Sequence, residues 1–318
     1  MLFDFTEAEL AEARAFDAKL DKLPRFRMET VAGRLVLNAL LRIAELVPLI
    51  RGGSKTVRRE QRTVEALGRT VKLRIFRPMG PCRGIVVDFH GGGWTIGNAR
   101  MSDGQNDSLV ERTGVAVVSV DYRLALSATL REVIDDCAAG LQWALSNARA
   151  EFGCARLAVV GGSAGAHLAA CALLRLRDRA SIEGVAGAIL YFGLYDLTGT
   201  PMVRAAGPET LLLHGPTVRV QLARLTPDMT DHQRRSGDIS PVHADLTGLP
   251  PALFLVGAKD MLVEDSERMA AAWATASGNA DLTVLPELPH AFLHMDLAIT
   301  RKVQAATDAW LLDRLAAA

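Results

Sequence analysis

The stretch that decides the fold is Leu157-Ala158-Val159-Val160-Gly161-Gly162-Ser163-Ala164-Gly165. A short run rich in β-branched residues ends in a glycine-rich turn that carries a serine, and an Ala/Leu-rich run to Arg177 follows. The first run is typical of a buried strand and the second of a helix. The G-x-S-x-G spacing therefore falls between a strand and a helix, the context in which this pattern presents a nucleophilic serine.

The glycines of this turn have a chemical reason to be there. Ser163 is predicted to lie on a tight, strained turn with its hydroxyl exposed and the N-terminus of a helix beneath it, which favours developing negative charge. Gly161 and Gly165 remove side chains that would clash with the neighbouring strand and helix. Two alternatives remain, a plain glycine-rich turn and a phosphate-binding turn. The second is weakened because neither phosphate-loop glycine pattern is present.

The same alternation of strand-like and helix-like runs continues on both sides of the turn. Most strand-like runs are continuously apolar, as in strands buried on both faces, which favours a mostly parallel sheet with helices on both sides. The predicted strands are Val71–Phe76, Gly84–Phe89, Val115–Val120, Leu157–Val160, Val185–Leu190, Ala252–Val256 and Leu282–Leu285. The predicted helices are Ser108–Arg112, Leu130–Arg149, Ala164–Arg177, Val263–Ser277 and Met295–Leu315.

A second glycine-rich motif, His90-Gly91-Gly92-Gly93-Trp94, follows the strand that ends at Phe89. Three consecutive glycines are entropically costly, and an oxyanion hole explains them because bare backbone N–H groups must closely approach an acyl oxygen. The predicted donors are the N–H groups of Gly92, Gly93 and Ala164. His90 and Gly91 are assigned to the structure of the loop. Trp94, together with Gly162, is predicted to line the substrate pocket, with ordinary packing as the alternative for Trp94.

A general base and an acid should follow Ser163 along the chain in the order acid, then histidine. His290 lies just after the last predicted strand and is the predicted base, with His294 as second choice. Asp260 follows the preceding strand and is the predicted acid. The competing carboxylates Glu264 and Asp265 open the next helix, where acidic residues are favourable in any case.

Composition limits the classes of protein that fit. The chain has 318 residues, with 36 Lys plus Arg and 36 Asp plus Glu, so its net charge is zero. This balance argues against binding to nucleic acid or to an anionic membrane surface. No apolar run approaches the roughly 18 residues of a membrane span. The N-terminal residues lack the pattern of a signal peptide, so a cytoplasmic location is expected. The four cysteines include no C-x-x-C pair, so free thiols are expected.

Two regions interrupt the alternation and are too long to be simple connections. The first is residues 1–55, where Thr6-Glu7-Ala8-Glu9 has the capping-box pattern and opens a helix to Leu20, and Met28–Ile50 is a second helical run. The second is the Pro/Thr/Arg-rich region at about 197–240. Both are predicted to form a cap over a catalytic domain at residues 56–318. The alternative is an N-terminal arm plus an ordered surface loop.

Taken together, these motifs resemble the hormone-sensitive-lipase-like family of α/β-hydrolases, the bacterial family IV esterases. The resemblance covers about residues 70–315 and rests on His90–Trp94, Asp121-Tyr122-Arg123-Leu124-Ala125, Gly161–Gly165, Ser240-Pro241, Leu249-Pro250-Pro251 and Pro289-His290-Ala291-Phe292. It implies an α/β-hydrolase fold with a mostly parallel, eight-stranded sheet, flanking helices and a helical cap. It also implies hydrolysis of a small ester without metal or cofactor, and homodimers are common in the family.

The predicted function is that of a serine carboxylesterase acting on short- to medium-chain esters through an acyl-enzyme. The sequence departs from the family at Gly162, where Asp is usual, at Ala166, where Gly is usual, and at residues 126–131, which lack the usual prolines. Residues 163–169 are also similar to kynurenine formamidases, which cleave an N-formyl amide. A non-catalytic small-molecule receptor on the same fold is a further alternative.

Overall fold

The structure is a computed structural model, which describes residues 3–22, 30–44 and 54–316. Its centre is an eight-stranded sheet in the order β1-β2-β4-β3-β5-β6-β7-β8. The strands are β1 (Val57–Ala66), β2 (Arg69–Pro78), β3 (Ile85–Phe89), β4 (Ala116–Asp121), β5 (Leu157–Gly162), β6 (Val185–Tyr191), β7 (Ala252–Gly257) and β8 (Ala280–Leu285). β2 pairs antiparallel with β1 and β4, and all other neighbours are parallel.

The helices cover both faces of this sheet, and alternate residues of a strand enter the two cores. On β3, Ile85 and Val87 join one apolar cluster, whereas Val86 between them joins the other. The described helices are α1 (Glu7–Leu20), α2 (Val31–Ala44), α3 (Asp103–Thr113), α4 (Leu130–Phe152), α5 (Ala164–Arg179), α6 (Pro201–Ala205), α7 (Gly215–Leu225), α8 (Asp231–Arg234), α9 (Val263–Ser277) and α10 (Ala298–Ala316). α4, α5 and α9 contribute to the first cluster, and α3 and α10 to the second.

The seven strands predicted from the sequence are all present, and the predicted fold class is confirmed. The eighth strand, β1, escaped the list of apolar runs because it is an edge strand. Its residues are mainly polar or charged, and of them only Val57 and Val64 are buried. The helix predicted from Ser108 begins five residues earlier, at Asp103. An edge strand presents one flank to water, so it does not need a continuous apolar run.

The two regions outside the alternation contain helices joined by loops in the part of the chain that the structure describes. The predicted capping box is formed, because Thr6 and Glu9 bond each other's backbone N–H groups at the start of α1. The helix predicted over 28–50 is described over 30–44 and is helical from Val31, while its remaining residues lie outside the described part. Residues 197–240 form α6, α7 and α8. Among the described helices, none is long and apolar enough to cross a membrane.

Candidate active site

The turn between β5 and α5 holds Ser163 in an uncommon backbone conformation. Ser163 has φ 56° and ψ −123°, a strained combination for a residue with a side chain. The turn is tight because its glycines allow direct contact between backbones: a Cβ on Gly165 would collide with the carbonyl oxygen of Phe89, and one on Gly161 with that of Gly165. The result is a half-buried serine at the carboxyl end of the sheet.

Two side chains from the last strands meet this serine. His290 Nε2 lies 3.0 Å from Ser163 Oγ, and His290 Nδ1 lies 2.7 Å from Asp260 Oδ2. The carboxylate can only accept, so Nδ1 donates to Asp260 and Nε2 is left to accept the serine proton. Asp260 is held in turn by the N–H of Leu262, which donates to its other oxygen at 3.0 Å. The three residues thus form one hydrogen-bonded row.

The competing residues from the sequence lie elsewhere. His294 lines the same cavity, and its Nδ1 accepts from Gln105 Nε2 at 3.1 Å. Burial and the nearby His290 lower the pKa of His294. Asp265 does not reach His290. Its Oδ1 accepts from the N–H groups of Tyr195 and Asp196, at 2.9 and 3.2 Å. It is therefore a buried backbone anchor rather than a simple helix-start carboxylate.

Asp265 should make stability depend on pH, because burial raises its pKa from 3.8 to about 7. A raised carboxyl pKa means that the folded state holds more protons between pH 4 and 7, so its contribution weakens as pH rises through that range. We expect Asp265→Asn, which keeps Oδ1 and can donate to Thr200, to gain up to about 4 kcal/mol relative to the wild type between pH 4 and 7.5. Urea unfolding of both proteins at several pH values measures this, and a pH-independent difference would contradict it.

The loop after β3 lines the same cavity as Ser163 and carries bare N–H groups. Gly92 has φ +113°, and a Cβ there would collide with the carbonyl oxygen of Ile96. Gly92 O accepts from the N–H groups of Thr95 and Ile96, which closes a tight turn. The N–H groups of Gly92, Gly93 and Ala164 donate to no atom of the described residues. Such free N–H groups beside a nucleophile can stabilise an anionic oxygen.

His90 lies inside this loop rather than beside the serine hydroxyl. Its Nδ1 donates to Gly91 O at 2.8 Å, and its ring stacks on Tyr122 at 4.1 Å between centroids. The Tyr122 hydroxyl donates to His90 O at 2.6 Å. Burial lowers the pKa of His90. These contacts fit the predicted structural role of His90 in holding the loop.

Trp94 lines the cavity, as predicted, and is also tied to a residue that the sequence motifs leave unassigned. Trp94 Nε1 donates to His167 Nδ1 at 3.1 Å, while His167 Nε2 donates to Ile239 O at 2.8 Å. His167 is fully buried, and this burial lowers its pKa to about 4, so the ring is neutral at ordinary pH. Through these two hydrogen bonds, His167 links the loop after β3 to the 197–240 region.

Phe192 is a residue that sequence reasoning missed. It follows β6 with φ 39°, and its ring packs edge-on against His290 at 4.9 Å between centroids. A Cβ on Gly162 would lie 3.2 Å from the ring of Phe192, which is closer than side chains normally approach. The aromatic ring therefore occupies the space beside Gly162, where the resembled family carries Asp. No local motif marks Phe192, because only the pairing of β5 with β6 brings the two together.

A cavity of about 610 Å³ opens at Ser163 and His290. Gly162 and Trp94 are both part of its wall, and two further groups of residues extend it in different directions. One group belongs to α7 and the residues before it, and it includes Leu213, Thr217, Val218 and Gln221. The other lies between α3 and α10, and it includes Leu109, Val160, Ile189 and Leu311. Polar residues of the same two helices, among them Arg112, Gln304 and Asp308, also line it. We call this second part the α3–α10 arm.

Known proteins with this architecture are similar over most of the chain. A family described as having the alpha/beta hydrolase fold matches residues 86–294. Two curated relatives come from Mycobacterium tuberculosis. Carboxylic ester hydrolase LipN is 33% identical over 236 residues, which is 71% of this chain and 61% of that protein. Carboxylesterase NlhH is 31% identical over 261 residues, covering 78% of this chain and 80% of that protein.

A solved structure agrees over nearly the whole length. The hyperthermophilic esterase from the archaeon Pyrobaculum calidifontis superposes with a TM-score of 0.82 at 25% identity, covering 98% of this chain and 99% of that one. The mostly parallel sheet and the site at its carboxyl end are those of a hydrolase. The chain belongs to the α/β-hydrolase family, and the resemblance to its hormone-sensitive-lipase-like members is confirmed.

Proposed function

We propose that this protein is a serine carboxylesterase that hydrolyses short- to medium-chain esters. The observation that carries the proposal is the hydrogen-bonded row Ser163–His290–Asp260, whose serine lines the same cavity as Gly92 and Gly93. The names of the curated relatives, both carboxylic ester hydrolases, support the same reaction.

The proposed mechanism follows from these distances. His290 Nε2 takes the proton of Ser163 Oγ, which lies 3.0 Å away, as the oxygen attacks the ester carbonyl. The oxyanion that forms is stabilised by the N–H groups of the oxyanion hole, and Asp260 stabilises the protonated His290. His290 then protonates the leaving alcohol, and later activates water to release the acid from the acyl-enzyme.

A panel of substrates tests this assignment directly. We expect turnover of p-nitrophenyl esters from acetate to octanoate. N-formylkynurenine is assayed beside them to measure cleavage of a formamide. Labelling of Ser163 by a fluorophosphonate provides a readout that does not depend on the choice of ester. Efficient cleavage of the formamide without ester turnover would replace the proposal by an amide hydrolase, and absence of both turnover and labelling would point to a receptor.

The α3–α10 arm is proposed to take the acyl chain, because Leu109, Val160, Ile189 and Leu311 give apolar surface to the same cavity that opens at Ser163. Leu109→Trp should fill this arm, so octanoate would lose buried methylene contacts worth about 0.8 kcal/mol each. We expect the ratio of kcat/KM for p-nitrophenyl octanoate over acetate to fall at least about tenfold. An unchanged ratio would mean that the chain lies elsewhere, for example beneath α7.

The predicted cap is proposed as residues 1–55 together with about 197–240. Its support is that α2 and α7, which are far apart in sequence, meet through Arg34 Nη1, which donates to Gln221 Oε1 at 2.8 Å. α1 has a different neighbour: it packs against α10, where Lys302 Nζ lies 2.7 Å from Glu9 Oε1. A cytoplasmic location and a homodimer remain predictions from the sequence.

A further inference from the structure

The glycines that supply the oxyanion hole cannot by themselves hold its geometry. Gly92 and Gly93 both have positive φ, at +113° and +55°, and glycine is the residue with the greatest backbone freedom. A donor must sit within hydrogen-bond distance of the position that the oxyanion occupies, so small rotations of these peptides weaken it. The turn closed at Gly92 O restricts part of the loop, and contacts from outside the loop can fix the rest of residues 92–97.

One such contact comes from α7. Gln221 is 8% exposed, and its Nε2 donates to Gly93 O at 3.0 Å and to Thr95 Oγ1 at 3.3 Å. The carbonyl of Gly93 lies one residue beyond the Gly92–Gly93 peptide, so this bond restricts the rotation of Gly93. Arg34 bonds the other end of the same amide, and this decides that Nε2, and not the oxygen, faces the loop.

A second, independent contact comes from α2. Asn38 Nδ2 donates to Thr95 O at 2.9 Å, and its Oδ1 accepts from the N–H of Gly97 at 2.8 Å. One side chain thus bonds the backbone of the loop at two positions. Helices α2 and α7, one from each region outside the strand–helix alternation, therefore both bond residues 93–97 of the loop. Neither helix contributes an atom to the hydrogen-bonded row at Ser163.

We propose that Gln221 and Asn38 are positioning residues that set the oxyanion hole, so that seating of α2 and α7 on the loop completes the active site. Arg34 acts one step further away by orienting the Gln221 amide. The inference rests on the proposed esterase function, because it assigns these residues to the hole used in that reaction. The apolar wall of the cavity then contributes to substrate binding and so to KM, whereas the polar contacts of α2 and α7 with the loop contribute to kcat.

The test uses the full-length protein with Gln221→Ala and Asn38→Ala, each assayed with p-nitrophenyl butyrate. We expect kcat to fall about 10- to 100-fold in each variant, with KM changed less than about threefold, because the ground-state ester needs the hole less than the oxyanion does. The Ki of a trifluoromethyl ketone, whose serine adduct carries an oxyanion, should rise by a similar factor. Gln233→Ala is the matched control, since Gln233 caps α8 and does not contact the loop.

Circular dichroism shows whether an alanine variant folds poorly. In that case a double-mutant cycle that combines Arg34→Met with Gln221→Ala still tests the proposal. We expect Arg34→Met to lower kcat by a smaller factor, about 3- to 10-fold, and to add little in the Gln221→Ala background. Losses that appear only in KM, or an unchanged ketone Ki, would overturn the positioning role. Failure of the esterase proposal is distinguishable, because then the wild type itself would neither turn over esters nor react with the ketone.

Discussion

Replacing Ser163 by alanine is expected to lower kcat for p-nitrophenyl butyrate by at least about 10⁴-fold. The substitution removes the only oxygen of the hydrogen-bonded row that can attack a carbonyl, while His290, Asp260 and the free N–H groups stay in place. Residual hydrolysis would then come from water acting within the proposed oxyanion hole. Stopped assays with butyrate, together with loss of fluorophosphonate labelling, measure the effect.

The fold should tolerate this change, because Ser163 is half-buried and a methyl side chain fits where a hydroxymethyl group does. Ser146→Ala is the matched control: Ser146 is exposed on α4, accepts a hydrogen bond from Gln142 and lies in a different element from the Ser163 turn, so full activity is expected. Turnover by Ser163→Ala at the wild-type rate, in a protein with an unchanged melting temperature, would remove Ser163 from the mechanism.

Replacing Asp260 by asparagine is expected to lower kcat about 10³- to 10⁴-fold with little change in KM. The Asp260 carboxylate accepts from His290 Nδ1 at 2.7 Å, and this bond leaves Nε2 free to accept the serine proton. An amide can present its NH₂ group to Nδ1 instead. The ring would then carry its proton on Nε2, where it opposes the Ser163 hydroxyl.

Asp265→Asn is the matched control for this charge removal. Asp265 and Asp260 are equally buried, at 1% and 2% exposure, and both lie close to the N-terminus of α9. Asp265, however, bonds backbone N–H groups rather than His290. We expect it to keep activity within a few-fold at pH 7.5. Equal losses in the two variants would mean that Asp260 acts by holding the fold and not by orienting His290.

Local pattern was sufficient for the core of the fold. The apolar runs identified seven of the eight strands because a strand covered on both faces must be apolar along its length. β1 was missed because six polar or charged residues separate Val57 from Val64, so it contains no apolar run. For the site, the order of motifs placed Ser163, Asp260 and His290 at the carboxyl ends of three strands. In a parallel sheet those ends lie on one edge, and the structure brings the three side chains within hydrogen-bond distance.

Phe192 and His167 show where local pattern stops. Neither lies in a motif that signals its contacts. The ring of Phe192 lies beside Gly162 because β6 pairs with β5, and it contacts His290, which follows β8. His167 joins Trp94 to Ile239 across 73 and 72 residues of chain. A single aromatic or histidine side chain in an apolar helix or strand looks the same whether it packs at random or supports a site.

The glycine turn around Ser163 could be predicted from the sequence itself, because the backbone clash that a side chain at Gly161 would cause is with Gly165, only four positions away. The geometry of the loop after β3 was decided only by the tertiary structure. Its glycines permit many conformations, and one of them is selected by Asn38 and Gln221, which lie more than 50 residues before and more than 120 residues after it. Steric restriction acts locally and can be read from neighbours, whereas hydrogen bonds that choose among permitted conformations come from wherever the fold brings a partner.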